Sequence, residues 1–245
     1  MQRRTELLLG VENLERLQKV RVLLFGVGGV GSWCAEALVR SGIRNLTLVD
    51  SDRVCITNCN RQLMATSKTV GMVKVEALRQ RLLEINPDAN IEVLQMIYNA
   101  ENADLFHMEE YDFIIDAIDS LTEKADLILR ATALPRHITF FSSMGAALRT
   151  DPFMVRKAEF WKVKGDPLAR AIRNKFKKQN TFPSRKFQCV YSEEQPLRNL
   201  GPQDDLTEDT WGAKKAQTNG SLCHITSIFG MSLAGMVINS VIGKK

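Results

Sequence analysis

The stretch FGVGGVGSW, residues 25–33, sets Gly26, Gly28 and Gly31 at the spacing G-x-G-x-x-G, between an apolar run and a segment of helical periodicity. In that context the first glycine permits a tight turn, the second lets a phosphate approach the backbone, and the third lets helix pack on strand. Gly29 reads as further clearance. Free amides at the start of the following helix favour an anion. Asp50 falls 19 residues after Gly31, at the end of a second apolar run, where it can accept hydrogen bonds from a ribose. A dinucleotide such as NAD and a triphosphate such as ATP are served equally by these features.

The next residues separate the two. DSDRVCITNCNRQ (50–62) and TVGMVKVEAL (69–78) place Asn58, Arg61 and Gln62 in the loop after the aspartate, and Lys74 on the following helix. The glycine turn already holds the pyrophosphate of NAD, whereas a triphosphate needs further counter-charge. It also calls for magnesium, held by one or two carboxylates. Asp119, closing the apolar run YDFIIDAID (111–119), can supply one. No G-x-x-x-x-G-K-[ST] occurs, which excludes a P-loop. A surface ion pair for Arg61 and a helix cap for Asp119 are the plain structural alternatives. Their convergence on one edge of a sheet favours the nucleotide.

Such convergence requires particular elements. Apolar runs at 19–26, 45–50, 90–98, 111–119 and 137–143 read as buried strands, alternating with helical patterns at 31–42, 70–87 and 121–134. This is an α/β chain: a doubly wound, mostly parallel sheet of Rossmann type over 1–150, with an N-terminal helix, followed by a smaller α+β extension over 151–245. The extension predicts a strand within 151–163, a basic amphipathic helix in DPLARAIRNKFKKQ, a strand in FQCVYS and a mobile loop over 192–219. A terminal helix over 222–243 follows, with NGS (219–221) as its start signal. That helix is long enough to cross a bilayer. His224, Thr226, Ser227, Ser232, Asn239 and Ser240 argue instead for a buried helix and no membrane.

Hydrophobic residues at 44% and charged residues at 25% are ordinary for a soluble globular chain of 245 residues. Five cysteines without regular spacing give no disulfide framework and point to a reducing, cytoplasmic setting. MQRRTELLLG lacks the pattern of a signal peptide. Charge is uneven. Lys162–Lys186 holds nine Lys or Arg against one acid, Asp166, a local +8 in a chain of net charge +5. A solvated helix face or a polyanionic partner would explain it equally on charge alone.

GVGGVGSW, VDSDRVCITNCNRQ, TVGMVKVEAL, INP and IDAIDS, in order and at this spacing over residues 4–145, resemble the nucleotide-binding core of the ubiquitin-activating superfamily, which includes activators of bacterial sulfur carriers. The resemblance implies ATP and Mg2+ as cofactors, with Asp50 on the ribose, Asn58, Arg61 and Lys74 on the phosphates, and Asp119 on magnesium. It also implies a homodimer in which Arg4, of RTELLLG, reaches the neighbouring subunit's site as an arginine finger. The activity implied is transfer of AMP to a carboxylate, which turns a poor leaving group into a good one.

Two carboxylates compete. Sulfur-carrier activators adenylylate the C-terminal glycine of a ubiquitin-like protein and usually carry two C-x-x-C zinc pairs, but this chain has no C-x-x-C. SSMGAALRTDP (142–152), DPLARAIRNKFKK (166–178), CVYSEEQP (189–196) and, more loosely, GSLCHITSIFGMSLAGMVI (220–238) resemble instead the dehydratases that cyclise threonylcarbamoyladenosine in tRNA. This second resemblance implies an acyl adenylate on the threonine carboxylate and a use for Arg170, Arg173, Lys175, Lys177 and Lys178 as tRNA contacts. It leaves room for a sulfur-relay protein partner. A non-catalytic nucleotide scaffold and an NAD oxidoreductase are the remaining readings. Cys189, within apolar FQCVY, is expected to be a buried strand residue rather than a thioester nucleophile, and His224 a satisfied helix-end histidine.

Overall fold

The structure, a computed structural model, describes residues 2–201 and 219–243. Most of the segment expected as a mobile loop, 202–218, lies outside them. Two short helices, α1 (Arg3–Leu9) and α2 (Val11–Lys19), precede the sheet. There follow β1 (Arg21–Phe25), α3 (Gly31–Ser41), β2 (Asn45–Val49), α4 (Lys74–Ile85), β3 (Asn90–Leu94), β4 (Phe113–Asp116), α5 (Leu121–Ala133) and β5 (Thr139–Ser143). The chain ends with β6 (Val155–Glu159), α6 (Pro167–Gln179), β7 (Gln188–Ser192) and α7 (Cys223–Val241).

The seven strands form one sheet in the order β3-β2-β1-β4-β5-β7-β6. All pairings are parallel except β6 with β7. β1 shows why the runs carry so few polar residues. Val22 and Leu24 face the side covered by α3, α4 and α7, while Leu23 and Phe25 face the side covered by α5 and α6. A strand buried on both faces has no side to spare for water. The sheet continues past residue 150, because β7 adds beside β5 and β6 closes the edge.

Several boundaries are shorter than the apolar runs predict. β4 stops at Asp116, so Asp119 stands in the loop beyond it, and α4 begins only at Lys74. The start of α7 also differs from expectation. Its cap is Leu222, and NGS does not cap it; Ser221 accepts from the Asn60 amide at 2.9 Å and Gly220 is tied to Asn199 and Leu148. α7 is the described helix long and apolar enough to cross a membrane by length and composition. In the fold it lies along α3, with Ile225, Phe229, Leu233 and Val237 fully buried in the core. Gly230 makes that approach close: a Cβ there would stand 2.3 Å from the Val30 carbonyl oxygen and 2.8 Å from the Cys34 nitrogen.

Both contacts are backbone and cannot step aside. Gly230→Ala should therefore cost about 1–3 kcal/mol, the usual range for overpacking. Gly235→Ala, in the same helix with nothing within 4 Å of its added carbon, should be neutral or stabilising. Thermal melts of the two variants check this.

Candidate active site

The carboxyl ends of the parallel strands gather the glycine turn, the loop after β2 and the loop after β4 on one edge, where α/β sheets bind ligands. Gly26 has a φ of +82°, and a side chain there would meet the Ala117 carbonyl at 2.8 Å. Gly31 is tighter still, its absent Cβ falling 1.8 Å from the Gly26 carbonyl oxygen. Gly28 is different: among the described residues only the Gln62 amide, at 3.8 Å, comes near, so they leave space open above it. Gly29 corrects the expectation of clearance. Thr226 of α7 and the stem of Arg61 fill that space at 3.2 and 3.3 Å, so this glycine serves packing.

The residues after the turn stitch the loop of Arg61 and Gln62 over it. Ser32 Oγ donates to the Gly28 carbonyl at 2.7 Å and accepts from the Leu63 amide at 3.1 Å. Trp33 Nε1 donates to the Arg61 carbonyl at 3.0 Å. Asn58 folds this loop with its Oδ1, which accepts from the Cys55 amide, and its backbone carbonyl accepts from Arg61 and Gln62. Gln62 is buried, its Nε2 lies beside the open space over Gly28, and its Oε1 has no hydrogen-bond partner among the described residues.

Asp50 ties the turn to the sheet. One carboxylate oxygen accepts from the Val27 amide and the other from the Asp52 amide, both at 2.9 Å. Burial pushes its carboxyl pKa up, opposed by the charge of Lys74 and by those two hydrogen bonds. Lys74, buried at the first turn of α4, donates from Nζ to Asp52 at 2.7 Å. Arg61 carries a guanidinium whose pKa is lowered by burial, against the raising charge of Asp119. Its Nη1 donates to two neutral acceptors, the Thr57 carbonyl and Asn60 Oδ1. A half-buried cation without an ion pair among the described residues is suited to an incoming anion. The starts of α3, α4 and α5 meet the same edge, and none is capped by a side chain. Their free amides favour negative charge there.

Asp119 is exposed, near enough to Arg61 for their charges to interact. Arg4 is exposed on α1, with no hydrogen bond or ion pair to the other candidates among the described residues. Of the basic residues on α6, Arg170, Lys177 and Lys178 are exposed. Arg173 is used differently: its Nη1 donates to the carbonyls of Phe160, Trp161 and Val163, and Lys175 donates to Thr122. Cys189 is fully buried in β7, and burial holds its thiol well above the ordinary range, which disfavours the thiolate a nucleophile needs. His224 is satisfied by the Thr150 carbonyl at 3.0 Å.

Three features of this edge escape a reading of the sequence. Asp116, Lys124 and Ser142 form a buried cluster, with Asp116 ion-paired to Lys124 Nζ at 2.8 Å and accepting from Ser142 Oγ at 2.6 Å, while Lys124 Nζ donates to the Ile118 carbonyl. Arg149 is buried beside Asp166, with its Nε and Nη1 unpartnered among the described residues. The segments 142–152, 189–196 and 220–238 also meet. Leu148, at a φ of +60°, donates to Gly220 and accepts from Leu197, while Glu194 accepts from the Thr150 and Asp151 amides. Asn60 reaches Ser221, so this assembly adjoins the loop of Arg61.

Comparison with known proteins places this geometry. A model of the ThiF family matches residues 2–245. The tRNA threonylcarbamoyladenosine dehydratase of Bacillus subtilis (strain 168) is 38% identical over 237 residues, covering 96% of this chain and 92% of the relative. A crystal structure of the Escherichia coli tRNA N6-threonylcarbamoyladenosine dehydratase in complex with ATP superposes with a TM-score of 0.83 at 29% identity, covering 99% of this chain and 93% of that one. The adenylyltransferase and sulfurtransferase MOCS3 of Anopheles gambiae is 36% identical over 116 residues, only 47% of this chain and 26% of the relative.

The state of Asp50 gives a pH test. A raised carboxyl pKa means that its charged form costs stability at neutral pH, a cost relieved as pH falls through that pKa. On acidification Asp50 therefore loses an acceptor above the range near pH 4 of an ordinary aspartate. Calorimetric titration should show ATP affinity declining from above that range. In Lys74→Met, weaker throughout, the onset should move further up.

Proposed function

The chain belongs to the ThiF family, where it groups with the tRNA threonylcarbamoyladenosine dehydratases, and on that footing we propose how its residues carry out the ATP-dependent cyclising dehydration of threonylcarbamoyladenosine in tRNA. The observation that carries the reading is the meeting of 142–152, 189–196 and 220–238 beside the loop of Arg61. The nucleotide edge is thereby completed by 189–196 and 220–238, which lie too far along the chain for a 116-residue match to hold both them and the glycine turn.

The threonine carboxylate is ionised at neutral pH and needs no general base. It attacks the α-phosphorus of ATP, the bond from that phosphorus to the bridging oxygen breaks, and pyrophosphate leaves. An internal nucleophile of the same side chain then attacks the acyl carbon and releases its proton to solvent. The carbon–oxygen bond to AMP breaks, and AMP departs with a former carboxylate oxygen. One ATP becomes AMP and pyrophosphate, and the nucleoside loses one water. Arg61 and Lys74 serve by neutralising phosphate charge, the kind of electrostatic positioning on which such transfers depend. Asp50 is suited to the ribose hydroxyls, and the open space over Gly28 fits a phosphate against the backbone. Asn58 and Gln62 supply amide groups at the same loop. Asp119 is the carboxylate available to magnesium, which when bound spreads the negative charge of the phosphates.

A homodimer accounts for an otherwise wasteful feature. α1 buries no residue, and Leu7, Leu8 and Val11 are 69%, 82% and 58% exposed beside Arg4. A second copy covering these side chains would bring Arg4 to the neighbouring site. The cations of α6 support tRNA contact. Five free cysteines suit the reducing cytoplasm, and α7 against α3 suits a protein that acts away from membranes. A sulfur-relay partner rests on the family resemblance alone.

Purified protein with ATP, magnesium and tRNA bearing the modified nucleoside should yield AMP and pyrophosphate with loss of one water by mass spectrometry. Arg61→Ala should lower kcat/KM by about 100-fold or more, as for removal of one donor that stabilises transition-state charge. Adenylylation of a carrier protein without that mass change would favour the alternative activity. Mixing inactive Arg4→Ala and Lys74→Met chains should restore activity, because mixed dimers contain one intact site; no recovery would count against the finger in trans.

A further inference from the structure

Between Phe160 and Ser192 the lone acid is Asp166, and it is buried as the cap of α6, so the segment has no exposed carboxylate of its own to offset its cations. Arg185 is spent on structure, donating to the carbonyls of Ala131, Leu134, Pro135 and Ile138, as Arg173 is on those of 160–163. Lys162, Lys164, Arg170, Lys177, Lys178 and Lys186 remain exposed, with no side-chain partner among the described residues.

Two aromatic rings stand among them. Trp161 is 38% exposed and Phe182 50%, with ring centroids 6.2 Å apart and planes at 44°. The core beneath is already filled by Phe160, Phe176 and Phe187, so the pair is not needed to close it. Surfaces that dock proteins are depleted of lysine, and a duplex offers such a surface mainly phosphates. Unpaired nucleotides offer phosphates and free ring faces together, which suits cations around aromatic rings.

We propose that Trp161 and Phe182 form a stacking platform for unpaired bases of the substrate tRNA, with the surrounding lysines and arginines following its backbone. The proposal rests on the dehydratase reading and adds where the RNA is gripped. α6 begins at the reactive edge, where Asp166 accepts from the Gly145 amide at 3.0 Å, and Phe182 follows its far end, about 20 Å away for 13 residues. The platform therefore holds nucleotides distant from the reacting one. A cleft of about 340 Å³ lined by Arg136, Arg185 and Lys186 continues the basic surface around the amino edge of the sheet.

The test compares wild type, Phe182→Ala, Trp161→Ala and Trp161→Phe for tRNA affinity, KM for tRNA and ATP affinity, with melts to check folding. Loss of one stacked base should weaken tRNA binding roughly tenfold. Both alanine variants should show this, while ATP affinity holds and Trp161→Phe retains most tRNA binding. A hairpin RNA with a free loop should bind better than a blunt duplex of equal length. Unchanged tRNA affinity and KM in Phe182→Ala, or impaired self-association with RNA binding intact, would overturn the platform. Stacking losses in a protein that binds tRNA but never dehydrates it would uphold the platform and refute the dehydratase reading.

Discussion

The reactive edge depends on one half-buried carboxylate. Asp50 holds the glycine turn through Val27 and its own loop through Asp52, and Asp52 in turn holds Lys74 at the start of α4. Turn, loop and helix are thus locked together by charge-assisted hydrogen bonds, which are stronger than neutral ones. Burial makes the Asp50 anion costly, and the nearby lysine offsets part of that cost. Negative charge at the end of β2 and positive charge on α4 leave Arg61 as a half-buried cation without a bonded acid among the described residues. An anionic nucleotide meets a site already organised, so little rearrangement is needed when charge moves in the reaction.

The later half of the chain completes the edge that the first half begins. β7 extends the sheet beside β5, and α7 returns to lie along α3 behind the glycine turn. Thr226 then fills the space at Gly29, and Gly230 lets the helix touch the backbone at Val30. Leu148 pins Leu197 and Gly220, the flanks of the stretch outside the described residues, to the end of the sheet. One packed body therefore presents a nucleotide surface and a substrate surface side by side, as an activation followed at once by an internal displacement requires.

Much of this was legible in residue order. The alternation of apolar runs and helical patterns gives the parallel sheet, and G-x-G-x-x-G followed by Asp50, Arg61, Gln62 and Lys74 gives the nucleotide edge, because those residues lie close together in the chain. Pairings formed only by folding were not legible. Asp116 lies within IDAIDS, yet its partners Lys124 and Ser142 come from a helix and a neighbouring strand with no local pattern linking them. The exposed Asp119 drew the metal role by its position at the end of the run, whereas β4 itself ends three residues earlier. Charge counting also overstated the free cations, since Arg173 and Arg185 satisfy backbone carbonyls. Gly29 reads as clearance in the sequence because its filling residue, Thr226, lies nearly two hundred positions away.

The central claim is that the carboxylate itself is adenylylated at this edge. Heavy-oxygen label in the threonine carboxylate of the substrate tRNA tests it most directly, with AMP and pyrophosphate analysed by mass spectrometry after one turnover. The account predicts one labelled oxygen in AMP and none in pyrophosphate. Label released as water, or found in orthophosphate with ADP as the co-product, would contradict it.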